Sequence, residues 1–180
     1  LAFERERTHI SERVAEIRGE ISLPIATPPF ILSGRADRID RTVSGTLEII
    51  DFKTGQAPQP KEVKQFFAPQ LPLEAWMAAR GAFGERLDLP TEAMSYVKLS
   101  HGPKALETTR YATPEGMSLS EAIDTTFGLF QRHVEALLLN DRLPMVARVM
   151  PRPNQRFRDD YDHLARLDEW AVVESGDEGE

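Results

Sequence analysis

Two short acidic clusters and a lysine are the residues of this chain best equipped for chemistry. Gly34-Arg35-Ala36-Asp37-Arg38-Ile39-Asp40 is followed, after a short turn, by Ile49-Ile50-Asp51-Phe52-Lys53-Thr54-Gly55. Paired carboxylates beside a lysine are the minimum needed to hold a divalent cation against a phosphodiester. Hard cations such as Mg²⁺ or Mn²⁺ take oxygen ligands, and a site with one or two carboxylates leaves positions free for water and phosphate. Such a cation lowers the pKa of a bound water and stabilises charge on the phosphate. In Asp51-Phe52-Lys53, strand alternation puts residues 51 and 53 on one face and sends Phe52 to the other, into the core. Lys53 can then approach the phosphate or attacking water that Asp51 helps to bind. The main-chain carbonyl of Phe52 is left free as a further metal ligand.

These groups meet only if the segment is a β-hairpin. Phe30-Ile31-Leu32 leads into the first cluster, Thr42-Val43-Ser44-Gly45 supplies the turn, and Leu47-Glu48-Ile49-Ile50 forms the second strand. Asp37 and Asp51 then fall near the same end of neighbouring strands. Before the hairpin, the charge density from Phe3 to about Val14 reads as an exposed helix, and Ala15 to Leu23 as a first strand ahead of a loop over Pro24 to Pro29. After it, a polar loop through Gln56, Pro58, Gln59 and Pro60 leads to a helix running from near Pro69 or Leu71 to Arg80 and ending at Gly81. Pro72 is tolerated there in the first turn.

That helix should return beside the second strand, with Gln70 at its start placed to hydrogen-bond Lys53, a site water or a phosphate. Glu74, one turn on, reads first as a surface or ion-pair residue, and Trp76 and Met77 as core. Ala93 to Leu99 alternates as a strand on which Tyr96 could reach the site, with a partner strand near Leu106 to Tyr111. Ser118-Leu119-Ser120-Glu121 opens a long amphipathic helix to about Asn140. His133 on it has no ligand-spaced partner and reads as structural. Leu143 to Phe157 reads as an irregular wrap, and Asp160 to Trp170 as a last helix.

Composition bounds the rest. At 180 residues with no cysteine, the chain can bury one core, and it has neither a disulfide framework nor a thiolate metal site. No apolar run approaches membrane-spanning length and no signal peptide is visible, so no membrane partner is expected. The net charge of −7 runs against simple nucleic-acid binding, but much of it lies in the run Glu174 to Glu180, expected to be a disordered acidic tail. Arg148, Arg152, Arg156 and Arg158 fall close together, and Lys98, His101 and Lys104 mark a second basic stretch. Arg35, Arg38, Arg152 and Arg156 are therefore candidate contacts to a DNA backbone, the alternative being ion-paired surface. No Gly-rich phosphate loop or motor motif is present.

The pattern G-R-A-D-R-I-D, then I-I-D-F-K-T-G, then Pro69-Gln70-Leu71-Pro72-Leu73-Glu74-Ala75, resembles the RecB-like branch of the PD-(D/E)xK nucleases, and within it the C-terminal nuclease domains of the AddB type. Tyr161 to Arg166 also looks like the end of the proteobacterial form, so the likeness covers most of the chain. The resemblance implies an α/β fold, a mixed central β-sheet flanked by helices, over residues 1–172, with residues 173–180 as tail. It implies Asp37 and Asp51 as metal ligands, Lys53 as the catalytic lysine and Gln70 as the glutamine of the following helix. It further implies a Mg²⁺- or Mn²⁺-dependent deoxyribonuclease of exonuclease type, acting in double-strand-break repair with an AddA-type helicase-nuclease subunit in the bacterial cytoplasm. No iron-sulfur cluster is expected, because the chain has no cysteine. Family members carry one more ligand, a histidine in an upstream G-x-x-x-H helix; His9 lacks that context, so this motif is expected before Leu1. The competing expectation is a catalytically incomplete nuclease-like module that binds single-stranded DNA or braces the helicase subunit.

Overall fold

The computed structural model describes Arg5, residues 7–100 and residues 106–139, all within one compact unit. His101, Lys104, the wrap from Leu143, Arg152, Arg156, the last helix and the boundary at residue 172 lie outside the described residues.

Five strands stand side by side in chain order: β1 (Ile10–Leu23), β2 (Phe30–Thr42), β3 (Leu47–Lys53), β4 (Thr91–Leu99) and β5 (Leu106–Arg110). All neighbours are antiparallel except β3 and β4, which are parallel. A parallel step needs a crossover, and the chain supplies it with α1 (Pro60–Lys64), α2 (Gln70–Ala78) and a 3₁₀ turn at Glu85–Leu87. After β5 comes α3 (Leu119–Leu137). The fold is the expected α/β architecture, a mixed sheet flanked by helices.

The N-terminal reading needs correction, because β1 begins at Ile10 where the charge pattern predicts a helix through Val14. Glu12, Arg13 and Val14 pair with Arg41, Asp40 and Ile39 of β2. An alternation of charged and apolar side chains over so few residues serves either period, and the long β2 partner selects the strand. The segment after Pro60 is also helical where only a loop was expected; α1 is pinned by buried Val63 and by Glu62, whose carboxylate accepts the Gln59 N–H at 2.8 Å. The helix at Gln70, the two strands after it and the long helix from Leu119 match their expectations. Ser118 and Glu121 cap α3 reciprocally, and Gly81 leaves the turn after α2 at φ 71°.

One face of the sheet packs under α2 and α3. Ile39, Ile49, Met94 and Tyr96 meet Leu71, Ala75, Trp76 and Met77 in the core. Aromatics lock the helices to each other and to β2: Trp76 stacks on Phe127 at 3.5 Å between centroids, and Phe130 meets Phe30 of β2 edge-on at 6.1 Å. Gly19 lets β1 pass beneath Phe83, since a Cβ there would lie 2.6 Å from the ring. No helix among the described residues is long and apolar enough to cross a membrane.

The burial alternation of β1 and β2 changes phase where the two strands pass Asp37. Core-facing residues on β1 run Val14 then Ile17, Ile21 and Leu23, and on β2 they run Leu32 and Ala36 then Ile39. Each strand slips its alternation by one residue between Ala15↔Arg38 and Ile17↔Ala36. Glu16, at φ 55°, absorbs the slip on β1. The register across the pair is unbroken at this point, and after the change of phase Asp37 falls on the alternation of Ile39, the core-facing side.

Candidate active site

The β2–β3 ladder runs from Arg41↔Leu47 to Arg38↔Ile50 and stops. Asp37 and Asp51 are the next residues on each strand, so both stand where the strands part. The carboxylate of Asp37 takes the next main-chain donor, accepting the Phe52 N–H at 2.9 Å. β3 continues along β4, with Asp51 opposite Tyr96 and Lys53 opposite Lys98. Asp51 and Lys53 are therefore held by β4 alone, β2 having left the ladder.

Four side chains close around that opening. Asp51 is 2% exposed, and its Oδ1 accepts Gln70 Nε2 at 2.8 Å. Lys53 Nζ lies 2.8 Å from Asp51 Oδ2 and donates to Gln70 Oε1 at 3.1 Å. The lysine meets Oδ2 outside hydrogen-bonding direction, so this buried oxygen is held by charge alone. Gln70 Nε2 also donates to Glu74 Oε1 at 3.1 Å. The triangle Asp51–Gln70–Lys53 joins β3 to the first turn of α2, as the sequence predicts for Gln70.

Glu74 departs from its surface assignment. It is 5% exposed, and burial, with the charges of Asp51 and Asp37 adding to it, pushes its carboxyl up to about 7 against the Gln70 hydrogen bond and Lys53, which lower it. Its Oε2 is buried without a partner. Tyr96 is also buried on this face with its hydroxyl unpartnered. Burial, followed by Asp51, Tyr111 and Glu74, raises its pKa. The i, i+4 spacing from Gln70 was the available sign that Glu74 shares its helix face. Tyr96 stands at the site as its strand allows, but its register opposite Asp51 was not given by the sequence, because register across a parallel crossover is a long-range property.

The other expected residues go elsewhere. Phe52 is half-buried on the face away from α2, beside Val97, rather than in the core beneath the helices. Arg38 turns to Asp40, with Nε and Nη2 at 2.7 and 2.8 Å from its two oxygens. Arg35 pairs with Glu16. His9 Nε2 sits 2.8 Å from Glu48 Oε1; Glu48 is three residues from Asp51 on the opposite face of β3, so His9 stands apart from the two site aspartates. His133 bonds its own helix at the Leu129 carbonyl, 2.7 Å away, which suits a structural residue.

Asp37 and Asp51 on adjacent strands, with Lys53 two residues on, reproduce in space the D…D-x-K spacing of the sequence. A family model for the PD-(D/E)XK nuclease superfamily matches residues 1–169. The chain belongs to this superfamily. Membership points to phosphodiester cleavage, and superfamily nucleases typically work with divalent metals. Among curated proteins, this superfamily member is 36% identical over 84 residues to an uncharacterized protein of Rickettsia bellii, covering 46% of this chain and 10% of that protein. It is 38% identical over 77 residues to one of Rickettsia typhi, covering 43% and 9%, and 31% identical over 102 residues to one of Rickettsia conorii, covering 54% and 12%. The chain thus spans about a tenth of the length of the curated relatives it matches. The crystal structure of the protein SSO0001 aligns with a TM-score of 0.40 and 16% identity, covering 71% of this chain and 56% of that one.

Proposed function

We propose that this domain is a metal-dependent DNA nuclease that hydrolyses phosphodiester bonds of strands delivered by a helicase. The observation that carries the reading is the buried Oδ2 of Asp51, paired with the Lys53 ammonium but without a hydrogen bond, at the point where β2 and β3 separate. Among the described residues no three His, Cys, Asp or Glu side chains converge into a cation cage. Two carboxylates with open positions nevertheless suit Mg²⁺, which keeps waters and substrate phosphate among its ligands. Asp37 and Asp51 would hold it, with the main-chain carbonyl of Phe52 as a further oxygen. The bound cation supplies charge that polarises the phosphate and acidifies water.

Lys53 has two tasks. Its ammonium neutralises Asp51 in the resting protein, and at 30% side-chain exposure it can reach a phosphate and offset charge in the transition state. Gln70 holds both partners in place. Arg35, half-exposed on β2, together with Arg152 and Arg156, is proposed to meet the DNA backbone; Arg38 is committed to Asp40 instead. The motif string Gly34–Asp40, Ile49–Gly55 and Pro69–Ala75 supports assignment to the AddB type, hence exonucleolytic work in double-strand-break repair beside an AddA-type subunit in the bacterial cytoplasm. The test is Asp51→Ala in the complete protein, which should abolish Mg²⁺-stimulated DNA degradation; degradation at the parental rate would overturn the proposal.

A second reading has its own observation. Lys53 and Gln70 already engage Asp51, the Phe52 N–H engages Asp37, and no third ligand completes a cage among the described residues. That arrangement suits a nuclease-like module that binds single-stranded DNA or braces its partner. Titration calorimetry with Mn²⁺ separates the two: tight binding lost in Asp37→Ala supports the nuclease, and absence of binding supports the scaffold.

A further inference from the structure

Gln70 spends every hydrogen-bonding group of its amide on charged neighbours. Nε2 donates to Asp51 Oδ1 and Glu74 Oε1, and Oε1 accepts from Lys53 Nζ. Rotating the amide by half a turn would set its oxygen against two carboxyl groups and its NH₂ against an ammonium. Asp51 and Lys53 are themselves in contact, so their charges would stay paired if the amide moved away, while Oδ1 would lose its hydrogen bond. Glu74 is the acceptor in this set placed on the same helix as Gln70, one turn along. Its neighbours Leu71, Ala75 and Met77 are at most 1% exposed, so its backbone position is fixed.

A structural account of Glu74 is poor. A carboxyl group buried for stability is expected to be paired and fully hydrogen-bonded, whereas Glu74 makes one hydrogen bond to a neutral amide and leaves Oε2 bare. Lysine has a flexible four-carbon stem whose head has no preferred bearing of its own. Left to itself, Lys53 would settle on Asp51, withdrawn from any substrate. With Gln70 fixed, its ammonium is suspended between an amide oxygen and a carboxylate.

We infer that Glu74 is a positioning residue: it locks the Gln70 amide so that the amide oxygen holds Lys53 ready for the scissile phosphate. This rests on the nuclease reading above. It assigns to Glu74 no contact with substrate.

The test compares Glu74→Leu with Glu74→Gln in the full protein. Leucine removes the acceptor at similar volume; glutamine keeps a carbonyl that can accept the same N–H. Glu74→Leu should lower kcat about tenfold, the worth of one good hydrogen bond, with KM and Mn²⁺ affinity within about twofold, and Glu74→Gln should recover most of the loss. By NMR, the Gln70 side-chain amide protons should exchange slowly in the parent and in Glu74→Gln, and rapidly in Glu74→Leu. Unchanged kcat and unchanged amide exchange in Glu74→Leu would overturn the inference, as would a Glu74→Gln variant as impaired as Glu74→Leu. If the parent cleaves no DNA, the nuclease reading fails by itself, and amide exchange still decides whether Glu74 holds Gln70.

Discussion

Asp40 and Asp51 are both buried aspartates on neighbouring strands, 0% and 2% exposed, yet their surroundings are opposite in kind. Asp40 takes Arg7 at 2.6 Å and the two-pronged Arg38 at 2.7 and 2.8 Å. Arg7 extends the cluster to Glu48, which in turn meets His9. Asp51 takes one glutamine on Oδ1 and, on Oδ2, one poorly directed lysine that makes no hydrogen bond. A buried charge costs several kcal/mol unless it is paired and hydrogen-bonded. The Asp40 cluster meets that requirement within itself, while the Asp51 cluster leaves it partly unmet, as a site awaiting a ligand would. On the proposed function, stability and function are divided between two faces of one hairpin.

Breaking the first cluster should have the larger effect on folding. Asp40→Ala strands Arg38 and Arg7 and should cost about 3–5 kcal/mol in urea denaturation, with cleavage per folded molecule unchanged. Asp51→Ala should do the reverse, lowering cleavage roughly 10²–10³-fold or more while stability stays within about 1 kcal/mol. If Asp51→Ala unfolded the protein and Asp40→Ala abolished cleavage alone, the division of labour would be wrong.

Glu74 sharpens the comparison through pH. Its pKa is raised in the folded protein to about 7 from 4.5, so the folded state binds the proton more tightly. Its contribution is most favourable below pH 4.5 and is lost as pH rises through 7, a swing of about 3 kcal/mol. Glu74→Gln cannot titrate, so the stability of this variant relative to the parent should rise by that amount between pH 4.5 and pH 8. A flat difference across this range would show that Glu74 is not desolvated by its surroundings. The smallest effect belongs to His9, 45% exposed in its pair with Glu48. His9→Ala should cost at most about 1 kcal/mol and leave Mn²⁺ affinity unchanged; a loss of affinity would draw His9 into the metal site and dissolve the contrast.

Much of this was legible in the residues themselves. The hairpin, its turn, the return helix starting at Gln70 and the capped α3 follow from alternation, glycine, proline and capping patterns that act within a few residues. So does the pairing of Asp37 with Asp51 and Lys53, because a tight hairpin fixes its own register. The start of β1 was not legible, since charged alternation serves a helix or a strand until β2 is present to choose. The burial of Glu74 and the orphaned hydroxyl of Tyr96 were not legible either: both depend on where α2 settles across the β3–β4 crossover. The sequence by itself determined which chemical groups stand at the site. Only the tertiary structure decided which of them lose their water, because desolvation and register across distant strands are set by packing rather than by neighbours in the chain.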